Sequence, residues 1–291
     1  MSIEQDPHQT HLNMVRTYYE TAQKYYYLAW HGEAAGLHYG FWDENTRYRR
    51  EAITNEVEVL AKLANIQKGD RVLDAGSGVS GSSAWLTKNI EANVTDLNVV
   101  EKQLRAGRRR IKRQFLFEEP RPNTVNADYH NMPFGNNSFE VFWSLESIEH
   151  SDNLPQFASE AHRVLKTGGK AIIAGTFLGD VKPTDEQSRQ MEVGQRAAGA
   201  FNDFRTANAV VGLLDETGFK VEANLNMTNS VIKSARQMHN MCTLGLPFAK
   251  LGNKMGVISD IMVDNTAWGT YQKDLFEAGV TSYNVLLAMK M

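Results

Sequence analysis

Apolar and polar positions recur along this chain with two different periods. From Glu51 to Ala64, the residues Ile53, Val57, Leu60 and Leu63 return every three or four positions, which predicts an amphipathic helix. After the turn KGD, short apolar runs alternate with helix-length segments. RVLDAG, ANVTDL, SFEVFWSL and GKAIIAGTF read as strands, and a further short strand is expected just before Asp128. Between them SSAWLTKNI, VVEKQLRAGRRRIKRQ and NLPQFASEAHRVL read as helices. Strands separated by helices pair in parallel through right-handed crossovers, so the expected fold class is α/β with a doubly wound sheet. The end of the chain departs from this rhythm. AVVGLLDETG predicts a helix capped by Gly218, followed by the strand FKVEANLNMT and a last strand TSYNVLLAMK, seven strands in all. Roughly fifty residues separate those last two strands, too many for a hairpin loop, which predicts a helical insertion.

The expected organisation is therefore an aromatic helical lid over residues 1–50, a core over 51–227, a helical cap over 228–270 and the last core strand within 271–291. The lid is dense in rings: Tyr18, Tyr19, Tyr25, Tyr26, Tyr27 and Trp30 lie close together. Composition adds exclusions. A formal net charge of -3 gives no general attraction for nucleic acid or an acidic membrane. A single cysteine, Cys242, excludes an internal disulfide and fits a reducing, cytoplasmic setting. The polar start MSIEQDPHQT lacks the apolar core of a signal peptide, and no apolar run reaches the length of a membrane span.

The chemistry concentrates in DRVLDAGSGVSG, Asp70 to Gly81. Gly76 and Gly78 let the backbone turn and approach a ligand without Cβ collisions. In an open α/β sheet this first βα loop is the expected ligand site. The spacing alone also fits dinucleotide enzymes, but there an anion beside the glycines would oppose the pyrophosphate. Here a carboxylate, Asp74, ends the strand, which suits a cationic ligand. Asp96, about twenty residues further on, has the spacing of an acid that accepts ribose hydroxyls. Asp128, before the MPF loop, is placed to accept an adenine amine.

These residues carry a family resemblance. VLDAGSG, TDLN, NADYHNMPF, RVLKTGG and LLDETGFKVE, in this order and spacing, resemble a class I S-adenosylmethionine-dependent methyltransferase from about residue 50 to the end. WSLESIEHSDN and LHYGFWD further resemble the small-molecule branch that includes tocopherol and sterol methyltransferases. The resemblance implies a Rossmann-like fold with S-adenosyl-L-methionine as cofactor. It implies that Asp74, Gly76 and Gly78 line the methionine portion, that Asp96 holds the ribose, that Asp128 and Tyr129 hold the adenine, and that Leu97 is a further cofactor contact. Ser144, Leu145 and Tyr19 are then expected to border the cofactor. Ser80, Glu140 and Thr167 stand where glycine, aspartate and proline are usual.

Methyl transfer from a sulfonium is an in-line displacement, so alignment and desolvation can supply most of the catalysis. Where a proton must leave the acceptor, the expected acid–base group is Glu146, Glu149 and His150, with His150 first and a carboxylate neighbour raising its basicity. Tyr26, Trp30, His38, Trp42, Phe177 and Met238 are expected to wall the acceptor site. So apolar and aromatic a lid points to a lipophilic or aromatic small molecule of natural-product, isoprenoid or alkaloid type, as in secondary metabolism. The nucleic-acid tetrad Asp/Asn-Pro-Pro-aromatic is absent, since SLES stands in its place. No metal site is expected, and homo-oligomerisation stays open. A nucleotide-dependent oxidoreductase and a non-catalytic cofactor-binding relative are the alternatives, the first opposed by Asp74 and the second by the intact acid and glycine set.

Overall fold

The computed structural model describes residues 6–27, 30, 35–116 and 119–291. Seven strands form one sheet: β1 (Arg71–Ala75), β2 (Asn93–Asn98), β3 (Asn123–Asn126), β4 (Phe139–Leu145), β5 (Leu165–Leu178), β6 (Phe219–Asn226) and β7 (Thr281–Lys290). Their order is β3-β2-β1-β4-β5-β7-β6. Strands β1 to β5 run parallel, and β7 runs antiparallel between β5 and β6. The order reverses between β1 and β4, so the loops after these two strands diverge and leave a crevice.

Helices cover both faces, which is why the central strands are apolar almost throughout. Neighbouring residues serve opposite layers. Val72, Trp143 and Ile172 point into one core with Leu60 and Leu86, while Leu73, Phe142 and Ile173 point into the other with Phe157 and Leu214. The helices begin where the sequence offers caps. Asn153 accepts the Gln156 amide at 3.1 Å to start α5 (Leu154–Val164), with Pro155 in the first turn. Thr206 caps α7 (Ala207–Thr217), which ends on Gly218 at φ 101°.

Two further parts lie over the carboxyl ends of the strands. Helix α1 (Pro7–Tyr26) puts Leu12, Val15 and Tyr19 against the crevice, and its Arg16 donates to the Val99 carbonyl at 3.3 Å. Between β6 and β7 stand α8 (Thr228–Lys254) and α9 (Asp260–Glu277). Tyr18 and Ala22 of α1, Phe201 and Trp268 share a separate apolar cluster, so lid and insertion pack as one body over the sheet. The helical insertion is longer than the expected 228–270, because α9 keeps burying residues as far as Leu275 and Phe276.

Candidate active site

Two cavities meet above the sheet. The first is a cleft beside the glycine loop, lined by Asp74, Gly76, Gly78, Leu97, Asp128 and Tyr129 among others. Gly76 has φ +93°, and a Cβ there would sit 2.3 Å from the Ser147 Cβ. Gly78 has φ +54° with nothing within 4 Å of a built Cβ, so open space lies above it. The backbone at Gly76 is thus forced by close approach, whereas at Gly78 it faces room for a ligand.

Asp74 lies at the cleft, but Asp96 does not line it. The Asp96 carboxylate is completely buried and accepts hydrogen bonds from Ser80 at 2.5 Å and from Ser83. Its neighbour two positions on, Asn98, ends β2 and does line the cleft. The ribose expectation for Asp96 is therefore corrected: its side chain is turned inward to the two serines, and β2 runs one residue beyond the expected end at Leu97, to Asn98 at the cleft. Ser144 is also corrected. It points into the protein, 1% exposed, and bonds Ser147 at 2.8 Å, while Leu145 borders the cleft.

Asp128 is held from two directions. The His130 amide and ring each reach its Oδ1 at 2.9 Å, and His8 of α1 reaches Oδ2 at 2.7 Å. Burial works against ionisation here, but these hydrogen bonds outweigh it and hold the carboxyl at about 2. His8 also reaches Asp152 at 2.8 Å, and although burial opposes its charge, the two carboxylates raise its pKa. A charged His8 thereby pins the start of the lid to the rim of the cleft.

The second cavity, about 430 Å3, is larger and lies between α1, α8 and α9. Tyr26, Trp30 and Met238 line it, together with Tyr39, Phe276 and Trp268, which the sequence did not single out. Three expected wall residues stand elsewhere. His38 borders the cleft, its Nδ1 bonded to the fully buried Glu56 at 2.6 Å. Trp42 donates to Ser234 at 2.8 Å beneath Lys233 and lines neither cavity. Phe177 packs in the core under the sheet, because its strand neighbour Thr176 takes the cavity side and alternation turns Phe177 away.

Tyr19, Leu37, Glu146 and His150 line both cavities, and this is where they join. Glu146 has a left-handed backbone, φ 46°, and its Oε1 accepts the Tyr39 amide at 2.8 Å. Burial, then the nearby Glu56 and Glu149, push its pKa well up. Glu149 accepts the Thr176 amide at 2.5 Å on Oε1, while Oε2 has no partner. Burial lifts its pKa to about 7 against the pull of that amide. His150 does not share a turn with Glu146. It bonds Tyr19 Oη at 2.7 Å, and burial, with His11 nearby, lowers its pKa to about 4. The expected gain in basicity from a carboxylate neighbour is thus reversed, because desolvation disfavours the imidazolium and Glu146 turns towards Tyr39 instead.

Comparison with known proteins agrees with this geometry. Residues 73–173 match the model of a methyltransferase domain. The chain is 34% identical to the methyltransferase GfsG of Streptomyces halstedii over 47% of its own length and 50% of that protein. It is 29% identical to a sterol 24-C-methyltransferase of Gibberella zeae, over 64% of this chain and 47% of that one. The chain thus spans about half the length of these curated relatives. A cyclopropane synthase from Mycobacterium tuberculosis superposes with a TM-score of 0.82 at 15% identity, covering 99% of this chain and 100% of the other. The glycine loop lies within the matched methyltransferase domain, and the solved structure shares the fold of the whole chain. The proteins that this chain resembles are thus methyltransferases, sterol methyltransferases included.

Proposed function

We propose that the protein transfers a methyl group from S-adenosyl-L-methionine to an apolar, ring-bearing small molecule. The observation that carries this reading is the junction of the glycine-loop cleft with an aromatic cavity at Tyr19, Leu37, Glu146 and His150. The residues present fit the cofactor, since Gly78 leaves open space above the loop and ionised or polar groups ring it. Asn98 would hold the ribose, Asp128 and Tyr129 the adenine, and Asp74 with the glycine loop the methionyl end. When bound, the cofactor supplies an electrophilic methyl on a cationic sulfur.

The chain's own residues then align and desolvate. Tyr19, Tyr26 and Tyr39 line the cavity, where aromatic rings suit a cation and wall an apolar acceptor. No lysine or arginine lines the second cavity among the described residues, while two carboxyls do. That supports a neutral or cationic acceptor over one with a phosphate head. Glu149 is the better-supported base of the expected trio, because its unpartnered oxygen and pKa near neutrality suit proton removal, whereas His150 is a weak base bonded to Tyr19. A cytoplasmic role in secondary metabolism fits the single cysteine and the lipophilic cavity. Among the described residues no helix is long and apolar enough to cross a membrane.

The test is a screen of sterols, tocopherols, indole alkaloids, polyketides and prenyl diphosphates with methyl-labelled cofactor. Label should enter an uncharged or amine-bearing lipophile. Labelling of the diphosphates alone would overturn the acceptor reading, and failure to bind S-adenosylhomocysteine would overturn the whole.

A further inference from the structure

Behind the glycine loop two carboxyls share one hydroxyl. Asp74 and Asp96 are register partners on β1 and β2, with 3% and 0% of their surface exposed. Ser83 Oγ lies 2.6 Å from Asp74 Oδ2 and also touches Asp96 Oδ1, and Ser80 Oγ reaches Asp96 Oδ2 at 2.5 Å. A serine hydroxyl carries one proton. If Ser83 donates to Asp96, it meets Asp74 only as an acceptor, and Asp74 must then hold a proton to donate. Two unprotonated carboxylates around one hydroxyl would leave a buried oxygen pair with no hydrogen between them.

No charge relieves the pair. Strand β4 opposes Asp74 with Trp143, α3 (Gly81–Ile90) contributes Ser83, the turn before it Ser80, and α4 (Glu101–Gln114) only Gly107, packed on Ser80. Neither acid has a cationic partner among the described residues. Burial first, then Asp96, lifts Asp74 to about 8, and burial lifts Asp96 to about 6 against the two serines. The serine that replaces the usual loop glycine at position 80, and the misplaced ribose acid Asp96, thus belong to one device.

We propose that the free protein holds one proton between Asp74 and Asp96, and that cofactor binding expels it. This rests on the reading that S-adenosylmethionine occupies the cleft, where Asp74 would meet its ammonium. The O–H bond on Asp74 breaks, the proton leaves to water, and the carboxylate that remains pairs with the incoming cation. Ser83 then donates its one proton to a single carboxylate, Asp96, while the charge of Asp74 is neutralised from outside. Asp96 acts through Asp74 as a positioning residue: it sets the protonation of the free site and does not reach the ligand.

The experiment is calorimetric titration of the full-length protein with S-adenosylhomocysteine at pH 7, in buffers of different ionisation enthalpy. Wild-type protein should release about one proton per ligand bound, and its affinity should rise roughly tenfold per pH unit from about pH 6 towards 8. In Asp96→Asn, Asp74 keeps its burial but loses the competing acid, so release at pH 7 should fall and the rise in affinity should move to lower pH. Infrared difference spectra of the wild type give a check that needs no variant: a protonated-carboxyl band should vanish when the ligand is added. Binding without proton release, or undiminished release from Asp96→Asn, would overturn the inference while leaving the cofactor assignment intact. Absence of binding would overturn both.

Discussion

Alanine at Gly76 and at Gly78 should fail in opposite ways. At Gly76 the backbone sits at φ +93°, a conformation that costs an L-residue roughly 1–3 kcal/mol. The added Cβ would stand 2.3 Å from the Ser147 Cβ, far inside the usual contact of about 3.5–4 Å, so Ser147 must move. Ser147 donates to the Ala75 carbonyl at 2.6 Å and pairs with Ser144 at 2.8 Å, both buried. Losing both adds about 1 kcal/mol each, for a total of about 3–5 kcal/mol. At Gly78 the left-handed φ costs only about 1–2 kcal/mol, since the Cβ meets no protein atom. That Cβ enters the space proposed for the cofactor. Urea unfolding of the free protein should therefore show a large loss for Gly76→Ala and a small one for Gly78→Ala. Calorimetry with S-adenosylhomocysteine should show at least a tenfold affinity loss for Gly78→Ala. Adding Ser147→Gly to Gly76→Ala should recover part of the stability, because the clash goes and the φ strain stays. Equal stability losses for the two alanines would refute the assignment of a protein-filled and a ligand-filled side to this loop.

Glu149→Gln should lower methyl transfer to an acceptor that must lose a proton by ~10²–10⁴-fold and abolish a rise in rate through about pH 7, because a base with a raised pKa works only above it; a variant with an unchanged rate profile would remove Glu149 as base. Its raised pKa also means that the carboxyl penalises the folded state increasingly as pH climbs from about 4.5 towards 7, so Glu149→Gln should gain melting temperature relative to wild type at pH 8 more than at pH 5. His8→Ala should loosen the start of α1 by up to about 1 kcal/mol, a modest figure because the ring is partly exposed. Since the folded pKa of His8 is raised, that contribution is full below about pH 6.5 and fades as pH rises through the folded value, so hydrogen exchange of α1 in the variant should differ from wild type at pH 6 and converge at pH 9. Equal differences at both would refute the charged latch.

The sheet was legible because parallel strands buried on both faces leave apolar runs that nothing else in the chain imitates. The place of Asp74 at the cleft was legible for a local reason, its position at the end of such a run and two residues before a glycine. Asp96 was misread because spacing reports distance along the strand and not which hydroxyls fold against it. Ser80 and Ser83, on the next turn, take the carboxylate, and Asn98 is left as the group at the strand's end. Phe177 was misread through parity: one step along β5 exchanges the cavity for the core. His150 was misread because its solvent exclusion comes from α1 and the segment around Ala198, far from it in sequence. The bridge from His8 to Asp128 spans 120 positions and had no local signal at all.

The antiparallel strand β7 has a consequence for how the protein can change. Because β6 and β7 pair side by side, with Asn226 opposite Asn284, the two helices that roof the second cavity leave and rejoin the sheet at adjacent points. A loop whose ends are already joined by a ladder can be lengthened or replaced at little entropic penalty. The roof is therefore an exchangeable cartridge plugged into a fixed socket. Grafting the segment between Met227 and Val280 from one protein of this fold to another is a route to changing the second cavity as a unit, with the glycine loop and its acids untouched.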